Sequence, residues 1–348
     1  MCVGTWRGRA DYPGTMTPTV RIDLARLDTN IAAQPGPLRP HVKTHKIPEI
    51  ARRQIAAGAH GLTVATVGEA EVFAEVSDDI FIAYPVWADK RLRALAERVR
   101  LSVGCDSLEA AERLVGIPAG VLIELDSGHH RSGVPVTALE ALARGVFDLG
   151  LDLRGAFTFP GHSYAPGAQE QAARDEDQAL RAAGDILRAL GVADPVLSGG
   201  STPSARYSRV ATERRPGVYV FNDAQQLELG TCDWSGIALT VAARVVSRRE
   251  DRHQIIVDAG SKILGSDRPA WATGFGRIRG ASDARITALS EHHGTVAWPA
   301  GERLPAIGEE LAVVPNHVCL VLNLVDEVEV VSGGRVVDRW QVAARGMN

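Results

Sequence analysis

The chain has little cysteine. Its 348 residues hold four, at Cys2, Cys105, Cys232 and Cys319, scattered and with no Cys-x-x-Cys pair. That spacing excludes a disulfide framework and is the usage expected in a reducing cytoplasm. No apolar run is long enough to span a bilayer, which excludes a helical membrane anchor as an expectation from sequence. Near the N-terminus Arg7, Arg9 and Asp11 have no apolar core between them, so the start of the chain does not read as a secretory signal. There is also no long basic run, and the formal net charge is -4, which argues against nucleic acid as a partner. What remains is ordinary globular composition, 45% hydrophobic and 23% charged, enough for one large domain and one smaller one.

Residues 1–18, with Gly4, Gly8, Pro13, Gly14 and Pro18, read as an N-terminal arm. Thr19–Asp23 is expected as a short strand and Leu24–Ala33 as a short helix, with the chain turning abruptly from Asn30 to Pro37. From Leu38 strands and helices alternate. Strands are predicted at Leu38–Lys43, Gly61–Ala65, Ile80–Ala83, Leu101–Gly104, Val121–Asp126, Arg154–Phe159, Pro195–Ser198 and Val218–Phe221. Helices are predicted at Pro48–Ala57, Gly68–Ala74, Lys90–Arg98, Leu108–Leu114, Thr137–Leu149 and Gln169–Leu190. About eight βα units at this spacing predict a TIM-type (β/α)8 barrel, with a doubly wound sheet as the alternative. After about Leu229 the helical patterns fade and short strands separated by Gly and Pro take over, Cys319–Val325 among them. The expected organisation is an arm over 1–18, a barrel domain over 19–229 and a mostly β domain over 230–348.

The most unusual stretch is Arg39-Pro40-His41-Val42-Lys43-Thr44-His45-Lys46. On a strand, Arg39, His41, Lys43 and His45 would share one face. A solvated edge strand accounts for such a basic face. So does an amine held inside a pocket, where desolvation and neighbouring positive charge lower its pKa and make it a nucleophile toward an aldehyde. Lys43 lies within the face, whereas Lys46 falls at the start of the next helix and is expected to be solvated.

Further motifs fall where barrel strands end, the usual place for function in that fold. Asp126-Ser127-Gly128-His129-His130-Arg131-Ser132-Gly133 follows the fifth strand, and its glycines let Arg131 lean into a pocket. Phe159-Pro160-Gly161-His162-Ser163-Tyr164 follows the sixth and presents Tyr164. Ser198-Gly199-Gly200-Ser201-Thr202-Pro203-Ser204 follows the seventh; backbone N–H groups and hydroxyls of Gly199, Gly200, Ser201 and Thr202 suit a phosphate. Arg215-Pro216-Gly217-Val218-Tyr219 comes next, with Tyr219 a candidate pocket residue. In the β domain, Pro315-Asn316-His317-Val318-Cys319-Leu320 would aim His317 and Cys319 the same way on a strand. An imidazole beside a thiolate suits zinc, although a buried cysteine also serves as a small apolar filler.

These motifs resemble those of the fold-type III pyridoxal-phosphate enzymes, in the branch of D-serine dehydratases and D-threonine aldolases, with alanine racemases as more distant relatives. The resemblance covers nearly the whole chain and implies an alanine racemase-like barrel followed by a β domain. It implies that Lys43 carries pyridoxal 5'-phosphate as an imine, with His41 beside it. It places Arg131 near the cofactor's phenolic oxygen, Tyr164 near cofactor or substrate, and the 199–202 loop on the phosphate. His317 and Cys319 look like the metal pair of D-serine dehydratases. Aldolases usually carry aspartate at the second position and use manganese or magnesium, so Cys319 favours Zn2+ and the dehydratase side. The segment Ser290-Glu291-His292-His293-Gly294 resembles a Glu-His-Gly element that would bring His293 toward the metal. Also implied are a small D-amino acid substrate and a homodimer. The expected activity is dehydration of a D-β-hydroxy amino acid to a 2-oxo acid and ammonia. The alternatives are a retro-aldol giving glycine and an aldehyde, and below it racemisation or non-catalytic cofactor carriage.

Overall fold

The protein is described by a computed structural model over residues 17–34 and 36–347. The arm expected over 1–18 therefore lies, apart from Thr17 and Pro18, outside the described residues. Seven parallel strands form one sheet in chain order: Leu62–Val64, Asp79–Pro85, Arg100–Cys105, Gly120–Leu125, Asp152–Thr158, Val196–Gly199 and Glu213–Arg214. The segment between Leu38 and His41 closes the ring, because Leu38 bridges Arg214 on one side and His41 bridges Thr63 on the other, both in parallel. The TIM-type barrel read from sequence is the observed architecture, with its first strand reduced to two bridges. The predicted helices between strands are all present, each within a residue or two of its expected start.

Two strand assignments in the barrel are corrected. Val42 and Lys43, expected to finish the first strand, lie instead in a single 3-10 turn, Val42–Thr44. Val218–Phe221, expected as the eighth strand, contains another, Val218–Val220, and the strand itself is the polar pair Glu213–Arg214. The reason is burial. Val218, Tyr219, Val220 and Phe221 are apolar because they pack into the core shared with the second domain. Glu213 is polar because it faces a buried ion network inside the barrel. There Arg39 Nε donates to Glu213 Oε2 at 2.7 Å, Arg39 also pairs with Asp79 at 2.7 Å, and His60 Nε2 lies 2.9 Å from Glu213.

The second domain closes six antiparallel strands, Leu239–Arg249, Gln254–Val257, Gly294–Ala297, Ala281–Leu289, Gly276–Ile278 and Glu310–Pro315, into a β-barrel in that order. Thr19–Asp23, placed by sequence with the 19–229 domain, pairs instead with Leu239–Arg249 and with Glu327–Ser332 of this sheet. From this strand in the second domain the chain passes into the barrel through helix Leu24–Ala32, whose Leu27 and Ile31 are buried. Cys319–Val325 is not a strand. Val318–Leu322 is a short helix that buries Val318, Val321 and Leu322, the i, i+3, i+4 set of one helical face. Five apolar residues are too few for periodicity to separate the two readings.

The ion network sets a stability test. Burial alone would raise the Glu213 carboxyl, but His60, Arg39 and Ser198 pull it down to about 2. A depressed carboxyl contributes stability above its unfolded pKa and loses it as pH falls through the folded value. Denaturant melts should therefore show this contribution intact above about pH 4.5 and shrinking toward pH 2. Arg39→Ala, which leaves two carboxylates without their buried partner, should cost about 3–5 kcal/mol at neutral pH; an unchanged midpoint would contradict the network's role.

Candidate active site

The segment after the first barrel strand enters a 3-10 turn at Val42, which swings Lys43 into the barrel mouth. Gly217 makes room for it. A Cβ there would lie 2.4 Å from Thr44 Oγ1 and 3.0 Å from the His41 carbonyl oxygen. Burial holds the Lys43 amine below its ordinary pKa, helped by the Arg131 and Arg215 charges and opposed by Cys319 and Glu69. His41 is pushed further down, first by burial, then by Lys43, Arg215 and Arg131. Both effects favour the neutral ring, and its Nδ1 is buried without a hydrogen-bond partner.

Only His41 and Lys43 of the basic face are in the site. Arg39 turns down into the ion network, and His45 is buried against Gln54 at 3.2 Å and the Ile47 amide at 3.1 Å. Lys46 is not solvated as expected. It is 6% exposed, with Nζ donating to Asn323 Oδ1 at 3.0 Å and lying 3.4 Å from Glu69 Oε1. The Lys46 amine is thus committed to these partners.

The other motifs converge from neighbouring strand ends. Positive φ at Gly128 (117°) and Gly133 (95°) shapes the loop that carries Arg131. Its guanidinium is half-exposed, 5.1 Å from the Phe159 ring centre and 3.9 Å from buried Glu124. His129 packs edge-on against Phe159, while His130 is exposed and bonded to Asp126. Tyr164 sits on a 3-10 turn, Gly161–Tyr164, and its hydroxyl meets Thr202. Burial drives that phenol upward, so it stays protonated. Tyr219 is buried in the core; its hydroxyl accepts from Gln54 at 2.9 Å, and its amide donates to Thr202 Oγ1 at 3.2 Å.

The loop after the seventh strand is a cup of small groups. Ser201 Oγ lies 2.8 Å from Ser163 Oγ and 2.7 Å from Ser204 Oγ. Gly200, at φ +85°, donates its amide to Glu176 Oε2 at 2.7 Å, and any Cβ on Gly199 would meet that carboxylate at 2.8 Å. Glu176 is raised by burial to about 7. Beneath the mouth Arg215 is buried over Phe81 and Phe157, with Nε unpartnered. An anionic, aromatic cofactor fits these features: the Ser163, Ser201 and Ser204 hydroxyls at one end, two unpartnered buried nitrogens, and an accessible amine.

From the second domain, the chain leaves strand Glu310–Pro315 and caps the helix Val318–Leu322 with His317. His317 and Cys319 are therefore not on a strand, yet their side chains still meet. Burial would lower the His317 imidazole, but the Cys319 thiolate and Asp267 raise it well above its ordinary value. Burial would raise the Cys319 thiol, but His317, Thr44 and Lys43 hold it down. Asp267 accepts at His317 Nδ1, 2.6 Å away, which leaves Nε2 for the thiolate side. A carboxylate fixing one imidazole nitrogen is the support usual for a metal-ligating histidine. The donor set suits a borderline-soft divalent metal with open positions. No third His, Cys, Asp or Glu completes a metal-binding group among the described residues. His293 is exposed on the turn before strand Gly294–Ala297 and does not join the pair.

Lys43, Lys46, Glu69, His317, Cys319 and Asn323 line one cavity of about 330 Å3. His317 and Cys319 thus face the Lys43 amine of their own chain. A hollow of about 360 Å3 between Glu228, Cys232, Arg277 and Arg285 holds none of the motif residues, and its Arg277 is already paired with Glu228. Sequence reasoning missed Asp267, Glu69 and the role of Lys46. Asp267 lies fifty residues before His317 in a loop without a motif, so nothing local marks it. Arg215, Ser163 and Ser204 stood within motifs that were quoted, and each could have been singled out as a polar group beside a glycine turn.

Comparison with known proteins gives the following. The family described as "Alanine racemase, N-terminal domain" matches residues 22–225, and the one described as "Putative serine dehydratase domain" matches 238–331. The chain is 35% identical to D-threo-3-hydroxyaspartate dehydratase of Delftia sp. strain HT23, over 93% of this chain and 96% of that one. The solved structure of that enzyme superposes with a TM-score of 0.85 at 33% identity, covering 94% and 97% of the two chains. Solved variants of it replace a histidine and a cysteine two positions apart, and the cysteine variant is described as the metal-free form. D-threonine aldolase of Arthrobacter sp. is 34% identical over 95% of this chain and 93% of its own. Alanine racemase of Bacillus anthracis shares the fold, with a TM-score of 0.67 at 14% identity over 95% and 99% of the chains.

Cys319→Ala should remove most bound divalent metal, read by elemental analysis of the dialysed protein. Binding of pyridoxal phosphate should persist, because no phosphate-cup residue is altered. Full retention of metal would refute the assigned pair.

Proposed function

Because the chain belongs to the alanine racemase-like family of pyridoxal-phosphate enzymes, among the dehydratases and aldolases of D-β-hydroxy amino acids, we propose that it is a metal-dependent D-β-hydroxy amino acid dehydratase. The observation that carries this reading is the placement of Cys319 against His317 in the same cavity as the Lys43 amine. A thiolate–imidazole pair favours zinc over the harder manganese or magnesium. The metal-free cysteine variant of the Delftia dehydratase supports giving Cys319 a ligand's role.

Bound pyridoxal phosphate supplies an electron sink for charge at the substrate's α-carbon. A divalent metal on His317 and Cys319 supplies a Lewis acid for the β-hydroxyl. The residues that would hold the cofactor are Lys43, the Ser163, Ser201 and Ser204 hydroxyls with the backbone of Gly199, Gly200 and Thr202, and Arg215 and His41 along its ring. Lys43, kept below its ordinary pKa by burial, is suited to take the α-proton as a neutral amine. His41 stays neutral beside it and adds no competing positive charge. Tyr164, held protonated, offers a donor rather than a base. The Arg131 guanidinium at the mouth favours a substrate carrying a carboxylate. Loss of the α-proton and of hydroxide leaves an enamine; water then displaces ammonia, giving a 2-oxo acid. We extend the proposal to a homodimer, on family grounds; both the amine and the metal pair nevertheless come from one chain.

The aldolase remains the second reading, supported by the similarity to D-threonine aldolase. The two outcomes differ in which bond breaks once the β-hydroxyl is held: C–O for the dehydratase, Cα–Cβ if that hydroxyl loses its proton. Incubation with D-serine, D-threonine and D-threo-3-hydroxyaspartate should release a 2-oxo acid and equimolar ammonia. Glycine and an aldehyde in their place would transfer the assignment to aldolase.

A further inference from the structure

Lys46 belongs to the segment that carries Lys43, yet its side chain does not serve that segment. Its backbone is in the left-handed region, φ 56°, unusual for a non-glycine residue and sustained only where surroundings hold it. Its carbonyl accepts the Ala344 amide at 3.2 Å from the C-terminal stretch of the second domain. Its amine reaches in two directions. Toward the barrel it pairs with Glu69, which also accepts the Ala65 amide at 2.7 Å. Toward the second domain it donates to Asn323, the C-cap of helix Val318–Leu322. The other end of that helix meets the same segment, where Cys319 Sγ lies 3.4 Å from Thr44 Oγ1.

The helix beside the metal pair is therefore pinned at both ends to the four residues that begin with Lys43. We propose that Lys46 is a positioning residue, a buried strut through Asn323 that fixes the separation between the Lys43 amine and the His317–Cys319 pair. Two properties suit it to this. An ammonium with several donors can hold partners on two domains at once. Both Lys46 and Glu69 are buried, so their attraction is little screened by solvent or salt. The proposal rests on the functional reading above only for its kinetic consequence; the docking of the helix stands independently.

The test uses the full chain and two sites of substitution. Asn323→Ala removes the inter-domain bond but leaves Lys46 with Glu69, so the barrel folds as before. Hydrogen exchange by mass spectrometry, on protein free of cofactor and metal, should show faster exchange confined to residues 317–323. Asn323→Asp keeps an acceptor for the ammonium and should hold exchange at the native rate. With pyridoxal phosphate and zinc added, Asn323→Ala should still load both, while kcat on the accepted D-β-hydroxy amino acid falls roughly 10- to 100-fold, the usual effect of a lost supporting contact. Lys46→Met should load the cofactor and repeat the faster exchange. Native exchange and native kcat in Asn323→Ala would overturn the strut, as would loss of cofactor binding in Lys46→Met, which would make Lys46 part of the cofactor site. Changed exchange in a protein that turns over no D-β-hydroxy amino acid would retain the strut and reject the proposed function instead.

Discussion

The site depends on keeping one amine out of water while a thiolate stands beside it. A lysine in solvent is an ammonium, neither nucleophile nor base. Burial lowers Lys43, the arginines at positions 131 and 215 push it further, and Cys319 and Glu69 limit the effect. On Cys319 a different set acts: His317, Thr44 and Lys43 favour the thiolate that burial alone would neutralise. Lys43 thus helps hold the Cys319 thiol down, while Cys319 opposes the lowering of Lys43 that burial and the two arginines produce.

That arrangement requires two domains in register. The barrel supplies the Lys43 amine, the cup of serine hydroxyls and Arg215; the second domain supplies His317, Cys319 and Asp267. The chain joins them three times over: through Thr19–Asp23 in the second sheet, through the core that Val218–Phe221 shares with the β-barrel, and through the contacts of Thr44 and Lys46 with the helix Val318–Leu322. The proposed reaction, in which either C–O or Cα–Cβ breaks, would gain from such rigidity, because small displacements of reacting groups carry large kinetic penalties.

Much of this was legible in the chain. The alternation of apolar strands with amphipathic helices marked the barrel, and glycine-flanked motifs at strand ends marked the mouth, because both are local patterns. What was not legible shares a cause. Glu213–Arg214 did not look like a strand, since its polar face serves a buried ion network formed with Arg39 and Asp79, distant in sequence. Val218–Phe221 and Cys319–Val325 did look like strands, since short apolar runs carry no period that separates a strand from a buried turn or a short helix. Thr19–Asp23 was given to the wrong domain because its partners, Leu239–Arg249 and Glu327–Ser332, come more than two hundred residues later. Lys46 was taken for a surface lysine because Asn323 and Glu69 are invisible from its neighbours in the chain.

The central claim is that the amine of Lys43, and no other, bears the cofactor. The direct measurement is borohydride reduction of the protein loaded with pyridoxal phosphate, followed by proteolysis and tandem mass spectrometry across residues 38–53. The account predicts a single pyridoxyl group on Lys43. A pyridoxyl group on Lys46, or none in this segment, would contradict it.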